Sequence, residues 1–112
     1  MSYPTLFRNP GVRDFAVAVD EERARQIAKW GLQPLPDGTG TPEQIEDMEV
    51  AKRACDAALA EGAATHALVL AEEACEVLAE ADPVRLKEEL IQLAAVCAKW
   101  IADIDSRPAA DA

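Results

Sequence analysis

Apolar residues recur every three or four positions in the second half of the chain, which predicts two amphipathic helices over residues 64–81 and 83–106. In the first helix, the acidic side carries Glu72, Glu73, Glu76 and Glu80, and the apolar side carries Leu68, Leu70, Ala71, Ala74, Cys75, Val77 and Leu78. In the second helix, the polar side carries Glu88, Glu89, Gln92, Lys99 and Asp103, and the apolar side carries Leu86, Leu90, Leu93, Cys97, Trp100, Ile101 and Ile104. Each helix therefore has one mainly acidic side and one apolar side.

A tight turn is predicted between these two helices at Asp82-Pro83. Proline disfavours helical geometry in the residue before it and suits the first turn of a helix, so Asp82 is predicted to cap the second helix. Helices joined by so short a connection pack antiparallel. Four polar residues should then lie level with one another, namely Glu73, Glu76, Glu89 and Gln92.

Two further helices are predicted in the first half of the chain. Residues 14–30 show helical periodicity, and a capping box of Thr41 and Gln44 marks the start of a helix over residues 42–61. Pro42 at the first helical position strengthens that start. Four helices predict an all-α fold, a four-helix bundle whose acidic site lies on an antiparallel helical hairpin.

The length and charge of the chain limit its organisation and its partners. A chain of 112 residues, 50% of them hydrophobic, supports one domain, which we expect over residues 14–107. Residues 1–13 are expected to form an N-terminal arm and residues 108–112 a disordered tail. The net charge of −10 argues against binding to nucleic acid or to an anionic membrane. Apolar runs fall far short of the roughly 18 residues of a membrane span.

The three cysteines, Cys55, Cys75 and Cys97, lie among apolar neighbours in predicted helices. Their odd number and the absence of a CxxC motif favour reduced core residues over disulfides or a metal cluster. This cysteine usage predicts a reducing, cytoplasmic location. His66, the one histidine, comes at a helix start, where a structural or solvated role is commoner than a catalytic one.

The acidic side of the first hairpin helix has two interpretations. It is either a solvated surface, as most charged helix faces are, or part of a cation site. Carboxylates three and four positions apart repel one another, and no lysine or arginine lies between Arg53 and Arg85. A bound divalent cation would remove that repulsion, and carboxylate oxygens without histidine or cysteine suit Mg²⁺ or Mn²⁺.

The spacing of the acidic residues also resembles a family signature. Glu73-x-x-Glu76, followed after twelve residues by Glu89-x-x-Gln92, resembles the ExxE…ExxD pattern of the all-α nucleoside triphosphate pyrophosphohydrolases, in their MazG-like group. The segments AKWGLQ at residues 28–33 and PDGTG at residues 36–40 are similar to an upstream segment of an actinobacterial and phage-type branch of that group. The resemblance covers about residues 21–107.

The resemblance implies a hydrolase that is dependent on Mg²⁺, with Mn²⁺ as a second possibility, and that converts a nucleoside triphosphate to the monophosphate and pyrophosphate. The implied metal ligands are Glu73, Glu76, Glu89 and Gln92, the implied catalytic residues are Glu72 and Glu73, and the implied substrate-binding residues are Lys29, Trp30, Gln33 and Lys99. The alternative is that Trp30 packs in the core and anchors the end of the helix, and that Lys29 is solvated.

One position departs from the family pattern, since Gln92 stands where the family has aspartate. Glutamine offers a neutral carbonyl oxygen, so the site would hold fewer or weaker metals. The departure leaves open a second hypothesis, a non-catalytic helical interaction protein or a nucleotide sensor on the same scaffold.

The last helix also carries a second stripe of small residues, namely Ala94, Ala95, Ala98 and Ala102. Small helical bundles often hide such faces in a partner, and the resemblance also implies subunit contacts. We therefore expect a homodimer or a homotetramer.

Overall fold

The computed structural model describes residues 7–109. Within this range the chain forms four α-helices and no strand, and the predicted all-α class is confirmed. The helices are α1 (Val12–Trp30), α2 (Pro42–Ala60), α3 (His66–Ala79) and α4 (Pro83–Ser106). In the described range, no helix combines the length and the apolar character needed to cross a membrane.

The two predicted terminal segments are described only in part. Residues 1–6 of the expected arm and residues 110–112 of the expected tail lie outside the described residues. Within the described part of the arm, α1 already begins at Val12, two residues before the predicted start at residue 14.

Side-chain caps fix the beginnings of α2 and α3. The Thr41 hydroxyl accepts a hydrogen bond from the Gln44 N–H (3.1 Å), and the Gln44 side chain accepts one from the Thr41 N–H (2.9 Å). This is the predicted capping box. Thr65 caps α3 by accepting from the Leu68 N–H (3.2 Å), which is why α3 begins at His66 and not at residue 64. The helix ends at Ala79, two residues earlier than predicted.

The connection between α3 and α4 is short, and Asp82 caps the start of α4. The Asp82 carbonyl accepts from the Leu86 N–H (2.8 Å), and the Asp82 carboxylate accepts from the Val84 N–H (3.4 Å). Pro83 lacks an N–H and occupies the first helical position, where none is required. α4 therefore starts only four residues after α3 ends.

The described chain divides into two compact units. The first unit runs to Leu35 and resumes at Ala98, so it contains α1 and the last part of α4. A Cβ atom built on Gly11 would lie 3.0 Å from the Cβ of Ala102, which shows that the start of α1 lies against this part of α4. α1 itself has no buried residue.

The second unit, Pro36–Cys97, contains α2, α3 and the first part of α4. α2 packs against α3. The buried apolar residues of this unit are Cys55, Val77 and Leu86, one from each helix. The unit therefore has a small core to which all three helices contribute.

The loop before α2 is fastened to the end of α3. Gly40 donates its N–H to the Leu78 carbonyl (2.9 Å), and the Thr39 hydroxyl donates to the Glu80 carbonyl. Gly40 has φ +84°, and a Cβ atom at this position would lie only 2.6 Å from the Cβ of Ala81. Only glycine allows this backbone conformation and this close approach. The loop thus ties the α3–α4 turn to the start of α2.

On α3, part of the apolar side is exposed and the acidic side is partly buried. Leu78 is 47% exposed, and Ala67 and Ala71 are also exposed, although Leu78 and Ala71 were predicted on the covered apolar side. By contrast, the three glutamates of α3 and its C-cap residue, Glu80, are half-buried. The acidic side of α3 is therefore partly covered, and both interpretations of that side stay predictions.

Candidate metal centre

Three carboxylates from two helices meet in the second unit. Glu73 and Glu76 are three positions apart on α3 and so lie on the same side of that helix, and Glu89 comes from α4. One carboxylate oxygen from each of the three lies within 4.8 Å of the others. We call these residues the glutamate trio. The short α3–α4 connection brings them level.

Two oxygens of the trio are enclosed by protein. Glu73 Oε2 and Glu89 Oε2 are buried and have no hydrogen-bond partner within the described part of the chain. Leaving a buried polar atom unsatisfied costs about 1–3 kcal/mol, and more if the group is charged. The folded chain therefore accepts an energetic penalty here that a bound proton or cation would relieve.

The electrostatics of the trio favour uptake of a positive charge. Burial, followed by the charges of Glu73 and Glu89, raises the pKa of Glu76 to about 7. A hydrogen bond to Glu89 and the charge of Glu72 act in the same direction. Burial, then the charges of Glu89 and Glu72, also raises the pKa of Glu73, while a hydrogen bond from Glu76 partly offsets that rise. Burial and the neighbouring charges thus favour a proton on Glu76 near neutral pH in the cation-free protein.

The donor set of the trio fits a hard divalent cation. Mg²⁺ and Mn²⁺ prefer oxygen ligands, and all three side chains offer carboxylate oxygens. Two oxygens bound to one Mg²⁺ lie up to about 4.2 Å apart, so the observed spacing requires only small side-chain rotations. The unsatisfied oxygens of Glu73 and Glu89 would gain a partner. Binding would also replace the repulsion among the carboxylates with attraction to a common ion.

Glu72 stands beside the trio but does not belong to it. Its charge contributes to the raised pKa values of Glu73 and Glu76, yet it is not among the three residues whose oxygens converge. A hydrogen-bonding interaction with Glu72 is the largest influence on the pKa of the Cys55 thiol of α2. This hydrogen bond, then burial, raises the pKa of Cys55 to about 11. Glu72 therefore links the acidic side of α3 to α2.

The cysteines are consistent with the prediction of reduced core residues. Cys55 is only 1% exposed, Cys75 and Cys97 are half-buried, and all three are free thiols. With its pKa near 11, Cys55 stays protonated at neutral pH and is a poor nucleophile. The contact between Cys55 and Glu72 was not predicted, because the sequence placed Cys55 only on the apolar stripe of its helix.

Gln92, the fourth predicted ligand, is exposed on α4, three positions after Glu89. That spacing places it on the same side of the helix as Glu89. Its carbonyl oxygen is therefore on the appropriate side for the trio, and its role as a ligand stays a prediction.

The predicted substrate-binding residues belong to the first unit. Lys29, Trp30, Gln33 and Lys99 are all exposed. The Lys29 ammonium lies 4.8 Å from the centre of the Trp30 ring, a cation–π distance. Trp30 is 61% exposed, so the alternative in which it anchors the helix end in the core is not what the structure shows. The substrate-binding role of these four residues stays a prediction.

Comparisons of the chain with protein-family models, with curated proteins and with solved structures gave no match.

Proposed function

We propose that this chain is a Mg²⁺-dependent nucleoside triphosphate pyrophosphohydrolase that resembles the MazG-like all-α enzymes, with Mn²⁺ as an alternative cation. The observation that carries the proposal is the glutamate trio, in which two buried carboxylate oxygens have no partner within residues 7–109. A solvated acidic surface would leave those oxygens in water. The enclosed arrangement suits a site that exchanges protons for a cation.

The glutamate trio would hold the cation, and its members would serve as ligands in different ways. Glu73 and Glu89 would each supply a buried oxygen, and Glu76 would become a ligand on losing its proton. Gln92 would add a neutral carbonyl oxygen from the exposed side of α4. When bound, Mg²⁺ would neutralise part of the triphosphate charge and favour deprotonation of water for attack at the α-phosphorus.

Glu72 is the candidate general base. It lies beside the trio and outside it, so it would keep its carboxylate available to accept a proton from the attacking water. Glu73, the second residue with a predicted catalytic role, would act through its hold on the cation. Lys29, Trp30, Gln33 and Lys99 stay the predicted contacts for the nucleotide, with Trp30 stacking the base and the lysines meeting phosphate charge.

The fold expected for this function is a four-helix bundle of the pyrophosphohydrolase type, working as a homodimer or homotetramer in the cytoplasm. The exposed Ala67, Ala71 and Leu78 on α3 support a partner subunit, because they form an apolar stripe on the outer side of the helix. The net charge of −10 supports a protein that binds neither nucleic acid nor an anionic membrane.

The test is a panel of canonical and modified nucleoside triphosphates, with pyrophosphate and monophosphate measured as products in Mg²⁺, in Mn²⁺ and in EDTA. We expect release of pyrophosphate with at least one of the two cations and none in EDTA. Glu73→Gln should remove the activity, whereas Glu88→Gln, an exposed position next to the trio on α4, should retain it. Equal activity in EDTA, or in the Glu73→Gln variant, would contradict the proposal.

A second candidate function is a non-catalytic interaction protein or a nucleotide sensor. The observation that favours it is Gln92, which removes one carboxylate from the family pattern. A sensor would show cation-linked stabilisation and nucleotide binding without product. An interaction protein would show neither, and its thermal stability would be the same in Mg²⁺ and in EDTA.

A further inference from the structure

The end of α3 receives little capping from the residues that follow it. The last carbonyl groups of a helix lack partners within the helix, and a glycine directly after the helix commonly lets the chain turn back to supply donors. Here Ala81 follows instead, and the C-cap residue, Glu80, has an extended backbone (φ −91°, ψ 117°). Pro83, two residues further on, has no N–H to donate. Carbonyl groups at this end of α3 are thus left to another segment of the chain.

The loop before α2 supplies donors to these carbonyl groups. Gly40 donates its N–H to the Leu78 carbonyl (2.9 Å). The Thr39 hydroxyl donates to the Glu80 carbonyl, which lies 41 positions later in the chain. The close approach of Gly40 to Ala81 brings both donors within reach. Thr39 and Gly40 are half-buried, so the loop acts as a C-terminal cap for α3 that is partly shielded from water.

The first turn of α2 holds this capping loop from its other side. The side-chain amide of Gln44 donates to the Gly38 carbonyl (3.0 Å), and the same side chain accepts from the Thr41 N–H (2.9 Å). These two hydrogen bonds flank Thr39 and Gly40 in the sequence. The donors for the end of α3 are therefore fixed to the start of α2.

The capped end of α3 includes one member of the glutamate trio. α3 ends at Ala79, so its last turn, residues 76–79, contains Glu76. Glu73 lies one turn deeper in α3, and Glu89 lies in the second turn of α4. Helix ends open locally more readily than helix interiors. Opening of the last turn of α3 would therefore displace Glu76 before either of the other two glutamates.

We propose that Thr39 is a positioning residue, which together with Gly40 caps the end of α3 and thereby holds Glu76 in the glutamate trio. This role deepens the proposed function and rests on it where cation binding is concerned. The cap itself is a property of the folded chain without any cation or nucleotide. Thr39 is not a ligand, and it acts through the last turn of α3.

The first test is amide hydrogen exchange of the last turn of α3, measured in EDTA. Thr39→Val keeps the branched side chain and removes the donor, whereas Thr39→Ser keeps the donor. The net contribution of one hydrogen bond corresponds to about three- to tenfold in an equilibrium constant. We expect exchange in this turn to accelerate by that factor in Thr39→Val and to stay near wild type in Thr39→Ser. Unchanged exchange in Thr39→Val, or equal acceleration in both variants, would overturn the proposal.

The second test is the Kd for Mn²⁺, measured by calorimetry at pH 8. Apparent affinity falls with the fraction of molecules in which the site is assembled, so Kd should rise about threefold or more in Thr39→Val and recover in Thr39→Ser. Thr65→Val is the matched control, because it removes the hydroxyl that caps the other end of α3, about 12 Å along the helix from Glu73. It should leave Kd near wild type. Equal weakening in the two valine variants would contradict a positioning role.

A double variant shows whether Thr39 acts through Glu76. In Glu76→Gln the cation would be held by Glu73 and Glu89, so adding Thr39→Val should raise Kd no further. Losses of affinity that multiply would refute an action through Glu76.

These measurements do not require hydrolysis of a nucleotide. An inactive wild-type protein would refute the proposed function, while exchange and Mn²⁺ binding would still decide the role of Thr39. A wild-type protein that binds no Mn²⁺ would also overturn the effect of Thr39 on the trio.

Discussion

A carboxylate oxygen of Glu76 on α3 and one of Glu89 on α4 lie within 4.8 Å of each other. Burial, followed by the charges of Glu73 and Glu89, raises the pKa of Glu76 to about 7, which favours a proton on Glu76 near neutral pH. A cation bound at the trio would therefore compete with a proton on Glu76. Four predictions follow from the exchange of this proton for a cation and from the packing that supports the α3–α4 hairpin.

The stability of the cation-free protein should fall as the pH rises. The pKa of Glu76 is about 7 in the folded chain and near its ordinary value of 4.5 in the unfolded chain, so the folded state binds more protons between these values. The contribution of Glu76 is fully present below pH 4.5 and is lost as the pH rises through about 7. Urea unfolding in EDTA across pH 4.5–8 measures it. Glu76→Gln should lessen the slope, and identical slopes in both proteins would contradict the assignment.

Mn²⁺ and Mg²⁺ should stabilise the protein through the trio. A ligand at 100 times its Kd adds about 2.7 kcal/mol to the free energy of unfolding, which corresponds to about 10 °C or more in Tm for a domain of this size. Glu73→Gln, Glu76→Gln and Glu89→Gln should each remove most of the Tm shift in a thermal titration. Glu88→Gln, exposed and adjacent to Glu89, should retain it. A shift of the same size in a trio variant would place the cation elsewhere.

Gln92→Asp should strengthen cation binding. The substitution replaces a neutral oxygen with a charged one on the same side of α4 as Glu89, and cation affinity rises with the number of charged ligands. We expect Kd for Mn²⁺ to fall by about tenfold in calorimetric titrations at pH 8, and Gln92→Ala to weaken binding to a smaller extent. An unchanged Kd in both variants would exclude Gln92 from the ligands.

Gly40→Ala should destabilise the protein more than Gly38→Ala. Both glycines have positive φ, +84° at Gly40 and +68° at Gly38, so both substitutions incur backbone strain of about 1 kcal/mol or more. At Gly40 the added Cβ would also meet the Cβ of Ala81 at 2.6 Å, whereas at Gly38 it would meet open space. Overpacking adds about 1–3 kcal/mol. Denaturant unfolding measures the difference, and equal losses would show that the loop is not fastened to the α3–α4 turn.

The helices were largely predictable from local chemistry. The capping box at Thr41 and the proline at Pro83 are short-range signals, and α2 and α4 begin where those signals place them. α3 was predicted to begin at residue 64, because periodicity does not show which of several residues caps a helix. The Thr65 side chain caps it instead, so the helix starts at His66.

The convergence of the trio was also predictable in outline, from the ExxE spacing and the short turn before α4. Which side of α3 is buried by a neighbouring element was not predictable. A helical period separates two sides but does not show which side a neighbour covers, and here half-buried glutamates accompany an exposed Leu78. The approach of Gly40 to Ala81 and the influence of Glu72 on the pKa of Cys55 depend on tertiary packing between distant segments, for which the sequence carries no local signal.

The most direct test of the central claim is anomalous diffraction from crystals of the wild-type protein soaked in Mn²⁺ at pH 8, with a matched crystal in EDTA. We expect an anomalous peak contacted by carboxylate oxygens of Glu73, Glu76 and Glu89, and no such peak after EDTA. A well-occupied Mn²⁺ elsewhere with the trio empty, or glutamate side chains that point apart into solvent, would contradict it.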